Sequence, residues 1–302
     1  MLAIIIPYYK HTFFEATLQS LVSQTDKRFR VYIGDDGSPE NPIALLEKYK
    51  GQFDFIYHRF NENLGGVSLV QQWNRCIALS GEEEWVMILG DDDVLGPNCI
   101  KDFYVNLPQI FINKCNVVRY ATIINDVVQK TTSSPYTHPK LEKGMDFLYR
   151  RFTNQTRSSL SEYIFKKSIY QKYGFYDYEL AWHSDDRAWL EFSEFKHIYS
   201  INSAHVSFRF SHENISRRDY KSEEKQKVAL QFYKFVIFKY FSKLKRYQRK
   251  DLLLYYEQLV YKDKRARFSF WIHLFLLFMI NGYFIQSIKF TRRLFIFLKT
   301  KD

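Results

Sequence analysis

Cysteine is scarce in this chain: Cys76, Cys99 and Cys115 are the only three in 302 residues. They lack metal-ligand spacing and a disulfide framework, so they read as free thiols. Proline and glycine are modest too, at 7 and 11. No stretch rich in Pro, Gly or Ser marks a linker, and there is no internal repeat or low-complexity tract. No apolar run is long enough to cross a bilayer. The longest, Phe268 to Ile280 with His273 inside it, falls short of the ~20 residues a span needs. The chain enters "LAIIIPYY" directly from Met1, with no charged leader. That predicts a cytoplasmic setting. Acid is scarce at one end only. Residues 221–302 hold 6 Asp and Glu against 19 Lys and Arg, a balance of +13, whereas residues 1–220 hold 27 against 25 and come to −2.

What is present is an aromatic-rich chain, 19% Phe, Trp and Tyr, whose first half alternates two patterns. "LAIIIP", "FRVYIGDD", "FDFIYHRF" and "EWVMILG" read as strands. Between them, "FFEATLQSLVSQT" puts Phe14, Leu18, Leu21 and Val22 on one helical face. "NPIALLEKYKGQ" and "GGVSLVQQWNRCIALSG" read as two more helices. Such alternation predicts an α/β fold with a mostly parallel sheet covered on both faces. Ligands in such folds bind beyond the carboxyl ends of the strands. From residue 99 to 220 the pattern is less regular. "CNVVRYATIIND" reads as a strand pair or one bent strand, and "HSDDRAWLEFSEF" as a helix opened by acidic residues. The body, 1–220, reads as one domain and 221–302 as a basic, aromatic helical tail.

Three places in the body carry candidate chemistry. "IGDDGSP" puts Asp35 and Asp36 at a strand end, where the plain alternative is a turn. "NENLGGVSLV" puts Asn63, Gly65 and Gly66 before a helix, where glycines permit close backbone approach and a helix N-terminus attracts anions. "WVMILGDDDVLGP" ends a strand on Asp91, Asp92 and Asp93. Three adjacent carboxylates beside a core repel one another and resist burial, so either the run is solvated or something positive belongs there. Asp91, Asp93, Gly96 and Asp102 roughly follow half of a calcium loop, but Leu95 stands where a ligand is needed. Hard oxygen ligands in so small a space suit Mg²⁺ or Mn²⁺, completed by water and a substrate diphosphate.

"IIIPYYK", "FEATLQSLVSQT", "VYIGDDGSP", "NENLGGVSLVQQWNRCI" and "WVMILGDDDVL", in this order and spacing, resemble the nucleotide-binding half of family 2 glycosyltransferases. The resemblance covers residues 1–100, with an acceptor half expected over 101–220. It resumes at "YGFYDYELAWHSDDRAWLEF" and again at "FRFSHENIS". It implies a GT-A fold, a Rossmann-like central sheet flanked by helices, and an inverting, metal-dependent enzyme using a nucleotide-sugar donor. It implies that Pro7 and Tyr9 line the nucleoside pocket and that Asp35 and Asp36 contact base and ribose. Asp92 matches the metal-binding aspartate of the family's Asp-x-Asp motif. Gly90 stands where the first aspartate of that motif often is, so Asp91 and Asp93 share the roles of ribose contact and metal ligand in a way the motif leaves open. Asp186 matches the catalytic base and Asp185 occupies the place usually held by Glu. His212 matches a histidine near the metal and diphosphate.

The chemistry suits these residue types. An acceptor hydroxyl must lose its proton as it attacks the anomeric carbon, and a nearby carboxylate is the simplest base. Asp185 is expected to raise the pKa of Asp186. The tail interleaves lysines with Phe232, Phe235, Val236 and Phe238, a pattern of helices lying on an anionic membrane surface. Its alternative is a bundle packed on the body. No nucleic-acid motif accompanies the charge. The sequence therefore predicts a peripheral protein on the inner face of the cell membrane. It would move a sugar to a saccharide or lipid-linked acceptor in surface polysaccharide or lipopolysaccharide synthesis. Two rivals are a non-catalytic nucleotide-sugar or carbohydrate-binding protein and a glycoside hydrolase using two carboxylates.

Overall fold

The structure, a computed structural model, describes residues 1–212, 222–262 and 268–299. The chain divides into two compact units, Met1–Arg218 and Asp219–Asp302.

The first unit opens with strand-helix alternation: β1 (Leu2–Tyr8), α1 (Phe14–Val22), β2 (Phe29–Asp35), α2 (Ile43–Tyr49), β3 (Phe55–Arg59), α3 (Leu69–Ile77) and β4 (Trp85–Ile88). Strand β1 pairs in parallel with both β2 and β4, and β2 in parallel with β3. Alternation along β1 explains why this sheet is covered twice. Leu2, Ile4 and Ile6 join one core layer with Leu18, Leu21 and Phe103, while Ala3 and Ile5 join the other with Ile77 and Trp189. The order β3-β2-β1-β4 reverses direction at β1. That is where an open parallel sheet leaves a crevice at its carboxyl edge.

Beyond β4 come β5 (Val94–Leu95), α4 (Cys99–Ile112), β6 (Val117–Asp126), β7 (Thr131–Thr132), β8 (Leu141–Lys143), α5 (Gly144–Phe152), β9 (Tyr163–Lys166), α6 (Lys167–Tyr173), α7 (Ser184–Phe192) and β10 (His197–Phe210). The sheet continues β4-β9-β6-β10-β5, with β9 antiparallel to both its neighbours and β10 parallel to β6. "CNVVRYATIIND" is thus one long strand. The 14-residue β10 shifts register between Ile201 and His205, an irregularity no periodicity announces. Cys76, Cys99 and Cys115 are buried free thiols.

The second unit holds α8 (Ser222–Tyr240), α9 (Arg246–Lys262), α10 (Phe268–Ile280) and α11 (Phe284–Lys299). It has a core of its own. Phe232, Val236, Leu253, Tyr256, Leu274, Phe278 and Phe290 are buried, the Trp271 ring meets those of Tyr261 and Phe297, and Arg293 donates two hydrogen bonds to Glu257 at 2.6 and 2.7 Å. Among the described residues no helix is long and apolar enough to cross a membrane.

Candidate active site

The carboxylates at the strand ends are lashings between loops. Asp91 follows β4, and one of its oxygens accepts the backbone N–H groups of Tyr9 and Lys10, each at 2.8 Å, from the loop after β1. Asp93 accepts from the Ser161 hydroxyl at 2.5 Å and from the Arg209 backbone N–H at 2.9 Å, which ties β10 to the same place. Asp35 accepts from the N–H of Ser38 at 2.8 Å, the Tyr57 hydroxyl at 2.6 Å and the Arg59 guanidinium at 2.8 Å. Asp36 accepts from the N–H groups of Leu64 and Gly65 at 2.8 and 2.9 Å and from Arg75. Charge beside the core is tolerated because each of these four carboxylates gains at least two such donors.

Burial still shows in the titration of these groups. Burial first, then the charge of Asp92, pushes Asp91 up to about 6. The same two causes raise Asp93. Burial also raises Asp36, against the pull of the Gly65 and Leu64 N–H groups and Arg75.

The glycines here have steric work. A Cβ at Gly65 would come within 2.5 Å of the Asp36 carboxylate, and one at Gly90 would lie 3.1 Å from carboxylate oxygens of both Asp92 and Asp93. Gly90 therefore departs from the commoner family pattern for a local reason: the triplet turns back over it, with the Asp93 N–H reaching the Gly90 carbonyl at 3.3 Å. Asn63, Gly65 and Gly66 precede a helix, as expected, but are separated from its first turn. Helix α3 begins at Leu69, its Gln71 N–H donating to the capping Ser68 hydroxyl at 3.1 Å. The Gly65 N–H is taken by Asp36 and the Gly66 N–H by Asn63 at 2.6 Å.

Pro7 and Tyr9 reach the same edge, Pro7 half-buried and Tyr9 exposed. Among the described residues no group of three or more His, Cys, Asp and Glu is arranged to hold an ion. His212 is exposed in the turn after β10, and the rest of its segment, from residue 213, lies outside the described residues. Asp92 is the half-buried member of the triplet, its backbone carbonyl accepting from Arg209 Nε at 2.9 Å. A Mg²⁺ or Mn²⁺ ion that takes one carboxylate and fills its shell with water and diphosphate oxygens fits that donor set.

The second carboxylate site lines a cavity of about 410 Å³ together with Trp73, Trp182, Phe208, Arg151 and Arg157. Asp185 and Asp186 open α7. Leading into the helix, Leu180, Ala181 and His183 hold φ of 61°, 53° and 62°, left-handed values that cost non-glycine residues energy and gather at functional loops. That geometry turns His183 back on its own helix, where its Nδ1 is 2.7 Å from Asp186 Oδ2. Arg151 Nε stands 3.7 Å from the other oxygen, Oδ1, which is buried and accepts no hydrogen bond among the described residues.

The expected titration order is reversed here. Burial alone would raise Asp186, but the His183 hydrogen bond and the Arg151 charge outweigh it, so Asp186 is held below the usual carboxylate range. Burial and the Asp186 charge raise Asp185 instead. Sequence reasoning missed His183, Arg151, Ser161, Arg209 and Asp177. The last of these accepts from the Ser68 hydroxyl at 2.8 Å. The "AWHSDD" stretch offered the one local signal, a histidine three residues before an aspartate at a helix start.

The fold has counterparts among solved structures. S. aureus TarS residues 1–349 in complex with UDP-GlcNAc superposes with a TM-score of 0.65 at 15% identity, covering 95% of this chain and 81% of that one. The complex with UDP gives 0.56 at 13%, covering 91% and 82%. This is the GT-A fold. In sequence, the uncharacterized glycosyltransferase YfnE of Bacillus subtilis (strain 168) is 28% identical over 95 residues, which are 31% of this chain and only 23% of that protein's length. The model of the glycosyl transferase family 2 domain matches residues 3–177, more than half of the chain, and this chain belongs to that family.

Proposed function

We propose that the enzyme transfers a sugar from a nucleoside-diphosphate donor to a saccharide or lipid-linked acceptor with inversion, at the inner face of the cell membrane, in surface polysaccharide or lipopolysaccharide synthesis. The donor reading is supported by what the TarS complexes hold, UDP-GlcNAc and UDP, and by the strand-end crevice at β1 and β4. The Asp36 lashing sets the loop at Asn63, Gly65 and Gly66 beside that crevice, with Pro7, Tyr9 and Asp35 on the nucleoside side. Asp92 would hold the divalent cation, which supplies charge stabilisation to the departing diphosphate. Asp91 and Asp93 keep the surrounding loops in register for it.

The single observation that carries the acceptor reading is the Asp186 carboxylate. It is buried, ionised, oriented by His183, and has one oxygen with no donor among the described residues. An acceptor hydroxyl supplies the missing donor and gives up its proton there as its oxygen attacks the anomeric carbon from the face opposite the diphosphate. A binding protein without catalysis needs no such base, and a glycoside hydrolase needs no nucleotide.

Calorimetry with UDP and GDP, with Mn²⁺ or in EDTA, tests the donor side. Binding should require metal and fall at least tenfold in Asp92→Ala. Equal affinity in EDTA and in the variant would remove Asp92 and the metal from the reading. Transfer or hydrolysis assays across nucleotide sugars then identify the donor.

A further inference from the structure

The second unit satisfies its own core and still leaves apolar surface outside. On α10, Trp271, Leu274 and Phe278 point inward, while Ile272, Leu276, Met279 and Ile280 are exposed. On α11, Ser287 and Phe290 are buried, while Phe284, Ile288 and Phe295 are exposed. A helix at a water boundary is normally polar on its outer face. On α10 both faces are apolar and on α11 an apolar strip runs down the outer side, and a groove of about 720 Å³ between them is lined by Phe275, Met279, Phe284, Ile288 and Phe295, with Thr291 and Arg292 at its side. At 100° per residue, Phe284, Ile288 and Phe295 form one strip along α11, and the exposed Arg292 and Lys299 run beside it. A second hollow of about 580 Å³ adjoins Phe284 and brings Arg246 and Lys250 of α9 against residues 282–286.

From these observations we infer that the outer face of α10 and α11 lies in the headgroup region of an anionic bilayer, with Ile280, Phe284, Ile288 and Phe295 inserted and Lys289, Arg292, Arg246 and Lys250 on lipid phosphates. This rests on the peripheral-membrane part of the function proposed above and names the surface that performs it. Charge selects the occupant. Residues 268–299 contain four Lys and Arg and no Asp or Glu. Arg293 is held by Glu257, and a second copy docked across a two-fold axis would set the exposed Lys289, Arg292 and Lys299 against the same three cations. A sheet of lipid phosphates complements them. Length selects the mode. Helices of 13 and 16 residues reach about 20 and 24 Å at 1.5 Å per residue, short of a hydrocarbon core of ~30 Å. They lie along the interface, as apolar helices with basic flanks do.

Co-sedimentation of the full chain with vesicles of phosphatidylglycerol and phosphatidylcholine, and of phosphatidylcholine alone, tests this. Three proteins are compared at low and high NaCl: wild type, Ile288→Asp/Phe295→Asp, and Lys289→Gln/Arg292→Gln. Wild type should prefer anionic vesicles, and salt should weaken binding roughly tenfold without abolishing it, because screening acts on charge and not on insertion. The aspartate pair should lose the salt-resistant part. The glutamine pair, whose substitutions are on exposed positions and spare the core, should lose most of the preference for anionic lipid. Donor hydrolysis should be unchanged in both.

Aspartate variants that fold by circular dichroism and bind like wild type would overturn this face while leaving membrane attachment standing through other helices. Wild type that stays in the supernatant with anionic vesicles at low salt would overturn both readings. Absence of vesicle binding with a wild-type dimer that the aspartate pair dissociates, read by analytical ultracentrifugation, would assign the face to a second copy instead.

Discussion

In the first unit Asp35, Asp36, Asp93, Arg119, Glu162 and Asp186 are buried, whereas in the second Ile280, Ile285 and Ile288 are 67 to 79% exposed. The two regions invert the usual placement in opposite senses, and the inversions have different remedies. A buried charge can be stabilised from inside, by donors the fold supplies: Asp36 takes two N–H groups and Arg75, and Glu162 takes the Thr122 and Ser159 hydroxyls. Exposed hydrocarbon has no internal remedy, because only removal from water helps it. The first unit's irregularities therefore point inward, to a site held in register. Those of the second leave hydrocarbon on the outside, which the proposed bilayer contact would cover.

The comparison can be broken most sharply at Asp186, the buried carboxylate proposed as the base. Asp186→Asn should keep the fold and UDP binding and lower sugar transfer by roughly 10²–10⁴-fold, the usual worth of a positioned base. Turnover near wild type in a discontinuous product assay would move the role to Asp185 or His183.

Next in size is a buried charge with a purely structural task. Arg119 is fully buried and bonds Glu142 and Ser200. Arg119→Met leaves Glu142 buried with Arg150 as its remaining partner, and urea unfolding should show a loss of about 3–5 kcal/mol. A loss under about 1 kcal/mol, the level of a surface pair, would mean that internal donors count for less than argued here.

The smallest effect is a pH dependence. His138 is buried near Arg119, Arg150 and Arg157, and burial first, then those three charges, push it down from 6.5 to about 2. It is neutral in the folded protein. The unfolded chain binds its proton below about 6.5 and the folded one does not, so this contribution is present above that pH and lost as pH falls, at about 1.4 kcal/mol per unit. Between pH 6.5 and 5 the loss is roughly 2 kcal/mol. Thermal melts over that range should fall for wild type and fall less for His138→Gln. Parallel slopes would show that His138 already accepts its proton in the folded state.

Much of the first hundred residues was legible because the signals are local. Strands β1 to β4 and helices α1 to α3 follow from runs and spacings within a dozen residues. The family motifs lie in the loops between them. The helix start at "HSDD" was equally readable, and so was the basic tail. The α3 boundary was not, because the Gly65 N–H serves a carboxylate 29 residues earlier and the Gly66 N–H the Asn63 side chain, and neither serves the helix.

Composition and pattern by themselves determined the α/β class and the presence of acidic strand ends and a cationic, aromatic C-terminal segment, and the motifs between the strands carried the resemblance to the family. Each depends on residues near one another in the chain. The tertiary structure alone decided what the aspartates do. Asp91 answers to Tyr9, 82 residues away, and Asp93 to Arg209, 116 residues away. Whether a carboxylate is a ligand, a lashing or a base depends on which donors meet it. It likewise decided that the apolar residues of α10 divide between a core and an outer face, because a helix apolar on nearly every side carries no sequence mark of which side its neighbours will cover.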